Sequence, residues 1–230
     1  MARKREPQPT VQDLMKELIL TEDLHSGDKL PTENELTERL GASRNAVREA
    51  LRSLEALGIV EIRHGYGMYL RDATLAGLAE TLTFWGRMSH RDGVEALAPI
   101  AELREVLETS LIGRVVGELT REDLRELSGL VRTMEIAAEE GKYASDEDRR
   151  FHEVLYRPLG NWVFTYLLQA FWDAYTELDE DTKGSRNPPE DVAQCHRDLL
   201  EALKRRDRDA AATAMSRHFD NFLRRPRSAG

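Results

Sequence analysis

Residues 30–70 read LPTENELTERLGASRNAVREALRSLEALGIVEIRHGYGMYL, and this stretch decides the fold. Thr32 and Glu35 have the spacing of a capping box, in which two side chains satisfy the free N–H groups of a helix start. A helix is therefore expected to begin there and to end near Gly41. Ser43 is a suitable N-cap for a further helix, so the sequence predicts two helices joined by a tight turn.

The second of these helices has one buried stripe and precedes a β-hairpin. Val47, Leu51 and Leu54 recur at helical spacing, and Gly58 provides the stop. The runs IVEIR and GMYLR that follow are rich in β-forming residues, and HGYG between them supplies glycines for a turn. With an earlier amphipathic helix over residues 10–20, the order of elements is typical of a winged helix-turn-helix, whose third helix enters the DNA major groove.

The first turn of the third helix carries the candidate DNA-binding residues Ser43, Arg44, Asn45 and Arg48. Arg44 and Arg48 are four positions apart, so they share one face, opposite the apolar stripe. An isolated arginine pair is more often an ordinary solvated pair, but the hairpin and the capped preceding helix favour nucleic-acid binding.

The net charge of −9 does not argue against DNA binding, because most of the net negative charge lies outside the first segment. Residues 1–72 carry 11 Lys and Arg against 13 Asp and Glu, whereas the remainder carries 22 against 29. A basic face on the first segment is therefore compatible with the acidic total.

Composition restricts the class of protein. At 230 residues, 40% of them apolar, the chain can form two modest domains or one large one. It has no apolar run near the ~18 residues of a membrane span, and no apolar stretch follows the basic start MARKREPQPT as in a signal peptide. We therefore expect a cytoplasmic protein with no membrane partner. Its one cysteine, Cys195, excludes an internal disulfide and a multi-cysteine metal site.

Beyond an N-terminal domain of residues 1–72, residues 73–230 are expected to form a second domain without strands. Seven amphipathic stretches predict its helices, over residues 75–88, 94–119, 121–140, 145–159, 163–178, 189–205 and 207–223. The predicted fold class is mainly α, with an N-terminal winged helix-turn-helix, a small β-hairpin wing and a C-terminal all-α bundle of six or seven helices.

Four residues of the second domain form a candidate metal site. Asp148 and His152 are four positions apart and share a helix face. His196 and His218 are 22 residues apart, which on one straight helix would separate them by about 33 Å. Asp207 lies 11 residues from each and suits an N-cap. A chain reversal there would make an antiparallel helix hairpin, in which the imidazoles of His196 and His218 lie side by side.

One carboxylate and three imidazoles suit Zn, Ni, Mn or Fe rather than Ca or Mg. A lone histidine on a helix is more often a surface or satisfied residue, and the matched spacing is what favours a shared site. Such a site could serve a sensor or a metal-dependent enzyme. Glu153 points about 100° away from His152 on the helix and is a poor general base. An architectural DNA binder with no ligand would leave the four residues unexplained.

Residues 10–71 resemble the winged-helix domain of the GntR family of bacterial transcription regulators, through DKLPTENEL, the SRNAVREAL helix and the glycine-containing wing. The resemblance implies that Ser43, Arg44, Asn45 and Arg48 contact phosphates and base edges, and that His64 and Gly65 approach the minor groove. Asn34 departs from the pattern, because many members have arginine there, and this puts the operator preference in doubt.

The second domain resembles the FCD effector domain of the FadR branch of the same family, through ELREVLETSLIGRVV, DRRFHEVLYRPLGN and HRDLLEALKRRDRDAAATAMSRH. The resemblance implies that a divalent metal is held by Asp148, His152, His196 and His218. It also implies two effector-binding residues, Arg104 and Asn161. The alternative for Arg104 is an exposed pair with Glu108, four positions on.

Together the resemblances imply a ligand-responsive, homodimeric transcription regulator. It would act as a repressor on a two-fold related operator in double-stranded DNA and sense a small organic acid or a related anionic metabolite at the metal. The alternative is a metal-dependent enzyme fused to a DNA-binding domain.

Overall fold

The computed structural model describes residues 8–89, 93–180 and 187–223. Within these ranges lie ten α-helices, one 3-10 turn and one two-stranded sheet. The elements are α1 Val11–Thr21, α2 Glu33–Leu40, α3 Arg44–Ala56, β1 Val60–Arg63, β2 Gly67–Leu70, α4 Ala76–Ser89, α5 Gly93–Glu118, α6 Arg121–Glu139, α7 Ser145–Tyr156, a 3-10 turn Arg157–Leu159, α8 Trp162–Glu180, α9 Pro189–Lys204 and α10 Arg208–Leu223.

The chain divides into two compact units, Met1–Gly77 and Leu78–Gly230. The domain boundary that the sequence analysis places after Asp72 stays a prediction. None of the helices in the described ranges has the length and apolar character needed to cross a bilayer.

The helix ends of the first unit follow from local hydrogen bonds. The capping box between Thr32 and Glu35 is formed at the start of α2, and Gly41 ends that helix in the left-handed region at φ +60°. Ser43 caps α3 by accepting a hydrogen bond from the Ala46 N–H. Because Gly41 and Ser43 stand so close together, the chain turns sharply between α2 and α3.

One apolar cluster joins the helices of the first unit to the hairpin. It is made of Met15, Ile19, Leu30, Leu36, Val47, Ala50, Leu51, Leu54, Val60 and Met68. The two strands pair antiparallel, with Ile62 opposite Met68 and Arg63 opposite Gly67. Gly65 in the connecting turn has φ +81°, a conformation that favours glycine. The predicted winged helix-turn-helix with a hairpin wing is therefore confirmed.

The second unit is an all-helical bundle, and its described residues contain seven α-helices, as predicted. α5 packs against α10 and α8, and α6 packs against α9 and α7. The link between α9 and α10 is a tight reversal in which Arg206 adopts φ +57°. Asp207 accepts a hydrogen bond from the Ala210 N–H, so the predicted N-cap and helix hairpin are confirmed.

Candidate metal centre

Three helices bring the four predicted ligands together. α7 carries Asp148 and His152 on one face, and the hairpin of α9 and α10 carries His196 and His218. One ligand atom from each of the four residues can be chosen so that all lie within 4.8 Å of one another. The interior of the bundle therefore presents one carboxylate and three imidazoles at a single place.

His152 is fully buried, and its ring is oriented by a carboxylate from α5. Its Nδ1–H donates to Glu108 Oε2, because an ionised carboxylate can only accept. Its Nε2 has no hydrogen-bond partner and lies 3.5 Å from Asp148 Oδ1. A buried ring nitrogen without a partner, facing a carboxylate, is the arrangement expected of a metal ligand.

His196 has the same arrangement with a backbone acceptor. Its Nδ1–H donates to the Val192 carbonyl oxygen at 2.8 Å, and its Nε2 lies 3.0 Å from Asp148 Oδ1. With Nδ1 carrying the proton, Nε2 of the neutral ring is an acceptor that faces another acceptor. Two acceptors at this distance repel each other unless a proton or a cation lies between them.

His218 completes the set from α10. Its ring centroid lies 4.6 Å from that of His196 and 5.1 Å from that of His152. Burial, together with the charges of His196 and His152, holds the pKa of His218 well below its ordinary value. The neutral ring keeps a lone pair available for a metal ion near neutral pH.

The charges of the cluster favour an ionised carboxylate. Burial raises the pKa of Asp148, but the neighbouring His196 and His152 imidazoles outweigh it and hold that pKa well below 3.8. Burial lowers the pKa of His152, but the charge of Glu108, its hydrogen bond and the nearby Asp148 carboxylate raise it above its ordinary value. Asp148 is therefore available as an anionic ligand.

These residues fit a transition metal ion. Three imidazole nitrogens with one carboxylate oxygen suit Zn, Ni, Mn or Fe, whereas Ca and Mg prefer sites built from oxygen. The unpartnered Nε2 of His152 and the facing acceptors of Asp148 and His196 are both explained by a bound cation. When bound, the ion would supply a Lewis-acid site for an anionic ligand.

A cavity of about 80 Å³ adjoins the cluster, and both Asp148 and His218 line it. Arg104 and Trp172 also line it, and each has a buried donor without a hydrogen-bond partner, Nη2 in Arg104 and Nε1 in Trp172. Because one ordered water needs roughly 10–15 Å³ of such space, the cavity has room for a small molecule. The unpaired donors favour one with acceptor groups.

Arg104 does pair with Glu108, but the pair is buried rather than exposed. Arg104 Nε donates to Glu108 Oε1 at 3.0 Å, and the two residues are 5% and 0% exposed. The Arg104 guanidinium lies over the Trp172 ring at 4.5 Å. Arg104 therefore lines the cavity and pairs with Glu108 at the same time.

Asn161 lies outside the lining of this cavity. Its side chain is exposed and accepts a hydrogen bond from the Phe164 N–H at 3.2 Å, in the first turn of α8. A helix start leaves N–H groups free, and asparagine is among the side chains that cap them best. In this structure Asn161 therefore has a capping role, and the effector-binding role expected of it stays a prediction.

Glu153 is also outside the cavity lining. Arg149 and Arg150 each donate to its carboxylate at 3.3 Å. A carboxylate that two arginines hold outside the cavity is badly placed to take a proton from a water at the metal. Glu153, the acidic residue next to His152 in the sequence, is therefore not placed to act as a general base at the metal.

In the first unit, the candidate DNA-binding residues share exposed positions. Ser43 caps α3, Arg44 and Asn45 are exposed in its first turn, and His64 and Gly65 are exposed in the turn of the hairpin. Arg48 Nε pairs with Glu33 Oε2 at 2.9 Å, and both side chains remain substantially exposed. Asn34 is exposed as well. The DNA contacts expected of Ser43, Arg44, Asn45, Arg48, His64 and Gly65 stay a prediction.

Comparison with known proteins covers both units. Residues 7–70 match the family model described as bacterial regulatory proteins, gntR family, and residues 99–221 match the FCD domain. The chain is 27% identical over 227 residues to the Uxu operon transcriptional regulator of Escherichia coli K12, covering 95% of this chain and 86% of that one. It is 24% identical over 189 residues to the galactonate operon transcriptional repressor of the same strain, covering 82% of each.

Among solved structures, Streptococcus agalactiae GntR superposes with a TM-score of 0.73 at 28% identity, covering 93% of this chain and 97% of that chain. The relatives are transcription regulators, which does not favour the alternative of a metal-dependent enzyme. The chain therefore belongs to the GntR family of bacterial transcription regulators that carry an FCD domain, and it is not an enzyme.

Proposed function

We propose that this regulator is a cytoplasmic homodimeric repressor that senses a small organic acid at a metal ion held by Asp148, His152, His196 and His218. The observation that carries the proposal is the composition of one cavity wall. Two of the metal-ligand residues, Asp148 and His218, line the same cavity as Arg104, whose Nη2 is buried and unpaired. A carboxylate can satisfy both a Lewis-acidic metal and a guanidinium, which are the two groups that bind it most strongly.

The size and chemistry of the cavity support a small polar effector. A free volume of about 80 Å³ suits a short acid better than a long acyl chain. Trp172 Nε1 is a second unpaired donor in the lining and would be satisfied by a hydroxyl or a further carboxylate oxygen. The name of one relative, a galactonate operon repressor, refers to a hydroxylated acid.

The first unit would supply the DNA contacts. Ser43, Arg44, Asn45 and Arg48 would meet phosphates and base edges from α3, while His64 and Gly65 would approach the minor groove. Two copies related by a two-fold axis would read two half-sites of an operator. For the acid to release DNA, it must bind more tightly to a conformation that binds DNA less well.

The experiment begins with zinc-loaded protein and sheared DNA from its host, from which bound fragments are selected and sequenced. Affinity for a selected fragment is then measured by fluorescence anisotropy with L-lactate, galactonate, citrate or no acid. We expect one acid to weaken DNA binding by about 5- to 150-fold in zinc-loaded protein, the usual range of coupling between two sites. An equal effect in metal-free protein, or no acid effect on a protein that binds DNA and zinc, contradicts the proposal.

A further inference from the structure

Glu108 occupies an unusual position at the centre of the second unit. The residue is 0% exposed, and each of its two carboxylate oxygens accepts a hydrogen bond from another side chain. Oε1 accepts from Arg104 Nε at 3.0 Å, and Oε2 accepts from His152 Nδ1. Its backbone carbonyl accepts from the Tyr156 hydroxyl at 2.9 Å, so the α5 backbone beside it is attached to α7 as well.

The two partners of this carboxylate belong to different parts of the proposed sensor. His152 is a predicted metal ligand, and donating its Nδ1–H to Glu108 leaves Nε2 facing Asp148. Arg104 is the proposed acid-binding residue, and donating its Nε–H to Glu108 fixes one edge of the guanidinium. The Trp172 and Phe219 rings lie 4.5 Å and 5.3 Å from the guanidinium carbon and limit its remaining freedom.

We propose that Glu108 is a positioning residue shared by the metal ligand His152 and the acid-binding Arg104, so that a single carboxylate orients both. The inference rests on the proposed function, because it assigns roles within that site. A carboxylate that accepts from the second nitrogen of a metal-bound imidazole fixes its tautomer and increases its basicity. The same carboxylate holds Arg104 against the cavity wall and reduces the side-chain ordering that acid binding would require.

A purely structural role for Glu108 makes a different prediction. A buried ion pair often contributes little net stability, although removing one partner destabilises the protein by leaving the other charge unpaired. In that case Glu108→Gln would lower the thermal stability and leave the zinc affinity of the folded protein unchanged. The positioning role instead requires a change in metal affinity.

The first experiment measures Zn²⁺ affinity of the full chain by competition with a chromophoric chelator. Glu108→Gln keeps the side-chain size, but its amide can accept from only one partner and presents N–H groups to the other. We expect Zn²⁺ affinity to fall about 10- to 100-fold, the usual effect of losing an outer partner of a metal ligand. Glu102→Gln, at an exposed position of the same helix, is the matched control and is expected to bind Zn²⁺ as the unaltered protein does.

The second experiment tests the Arg104 half with acetate, the simplest carboxylate probe. Acetate is titrated into protein saturated with Zn²⁺, and binding is followed by NMR chemical shifts. We expect Glu108→Gln and Arg104→Gln to weaken acetate binding by similar factors, and the double variant to add little. Unchanged acetate affinity in Glu108→Gln overturns the shared role.

A third measurement uses the unaltered protein, so it holds even if Glu108→Gln fails to fold. Nitrogen NMR of the histidine rings in zinc-loaded protein reports which nitrogen carries the proton. The inference requires Nδ1–H and metal-bound Nε2 in His152, and the opposite assignment overturns it. If the unaltered protein binds no Zn²⁺, the proposed function and the inference fail together. If it binds Zn²⁺ and Glu108→Gln binds it equally well, only the inference fails.

Discussion

Asp148 Oδ1 lies 3.0 Å from His196 Nε2, although 48 residues separate the two in the chain. Because His196 Nδ1 donates to the Val192 carbonyl, the two facing atoms are both acceptors when the imidazole is neutral. His152 Nε2 also faces Asp148 Oδ1, at 3.5 Å. A metal ion bound between these atoms would remove the repulsion, because each of them would then be a ligand of the ion. Changing a ligand and removing the metal both test for such an ion.

The variant His196→Ala is expected to lose Zn²⁺ affinity by at least about tenfold, because a direct ligand should matter no less than an outer partner. His25→Ala is the matched control, since His25 is exposed in the first unit. Zinc per chain is measured by elemental analysis after dialysis against a fixed free Zn²⁺ concentration. Equal zinc in His196→Ala and in the unaltered protein would place the site elsewhere.

Metal removal is expected to lower the thermal stability of the second unit. A ligand that binds only the folded state stabilises it, by about 2.7 kcal/mol when its free concentration is a hundred times Kd. Calorimetry should therefore show a rise in Tm when Zn²⁺ is added to protein treated with a chelator. Asp148→Asn replaces an anionic ligand with a neutral one and should show a smaller rise. A rise of equal size in the variant would exclude Asp148 as a ligand.

The sequence could predict what depends on local pattern. The capping pair Thr32 and Glu35 and the N-caps Ser43 and Asp207 fix helix starts through residues only a few positions away, and all four are present in the structure. The position of Asp207 midway between two histidines correctly predicts the helix hairpin. These features need no knowledge of how distant helices pack.

The parts that the sequence could not predict depend on packing between distant helices. Glu108 is 44 residues from His152, so its contact with that ring follows from how α5 packs against α7. Trp172 likewise reads as one more apolar residue of α8, and its unpaired Nε1 is visible only in three dimensions. The capping contact of Asn161 with the Phe164 N–H is likewise visible only in the folded chain, because a resemblance in sequence does not reveal which helix start a side chain caps.

The start of α6 provides a stability prediction with a defined pH dependence. Asp123 and Thr120 form a capping box there, and Arg157 donates to the Asp123 carboxylate as well. Burial raises the pKa of Asp123, but the hydrogen bonds from Thr120 and Arg157 outweigh it and leave the pKa below 3.8. A carboxyl group with a lowered folded-state pKa stabilises the protein above its unfolded-state pKa, and this stabilisation is lost as the pH falls through the folded-state pKa.

Asp123→Asn should therefore lower the free energy of unfolding at pH 7 by about 1 kcal/mol, because the amide loses the charge that strengthens the hydrogen bonds from Thr120 and Arg157. The difference should shrink below about pH 4, as the carboxyl group of the unaltered protein takes up its proton. Urea denaturation at several pH values measures it. Glu122→Gln, an exposed change in the same helix turn, is the control, and a difference that stays constant down to pH 3 contradicts the prediction.

Arg48→Ala is expected to weaken binding to a selected operator fragment and to leave zinc content unchanged. Arg48 pairs with Glu33 in the free protein, but an exposed pair is worth less than about 1 kcal/mol and can be exchanged for a DNA contact. Losing a base contact should reduce affinity about 10- to 100-fold. Anisotropy at one fixed salt concentration measures this, with Arg132→Ala in the second unit as the control for net charge. Full affinity in Arg48→Ala would exclude it from the interface.

Trp172→Phe tests whether the unpaired indole N–H serves the effector. Trp172 is 4% exposed and stacks with the Arg104 guanidinium, so phenylalanine keeps an aromatic ring there while removing the donor. Because Trp172 Nε1 has no hydrogen-bond partner in the free protein, the substitution breaks no hydrogen bond. It should therefore cost little stability beyond the packing lost with the smaller ring. The acid that releases DNA should bind several-fold more weakly, because it loses one donor.

The control for that change is Trp162→Phe, at an exposed position at the start of the same helix. Calorimetric titration of the acid into zinc-loaded protein gives the two affinities, and the zinc content should be the same in both variants. If Trp172→Phe binds the acid as tightly as Trp162→Phe does, the indole N–H makes no effector contact. Arg104 and the metal would then be the remaining groups proposed to select an acid over a neutral molecule. Both are positively charged, so both bind an anionic ligand more strongly than a neutral one.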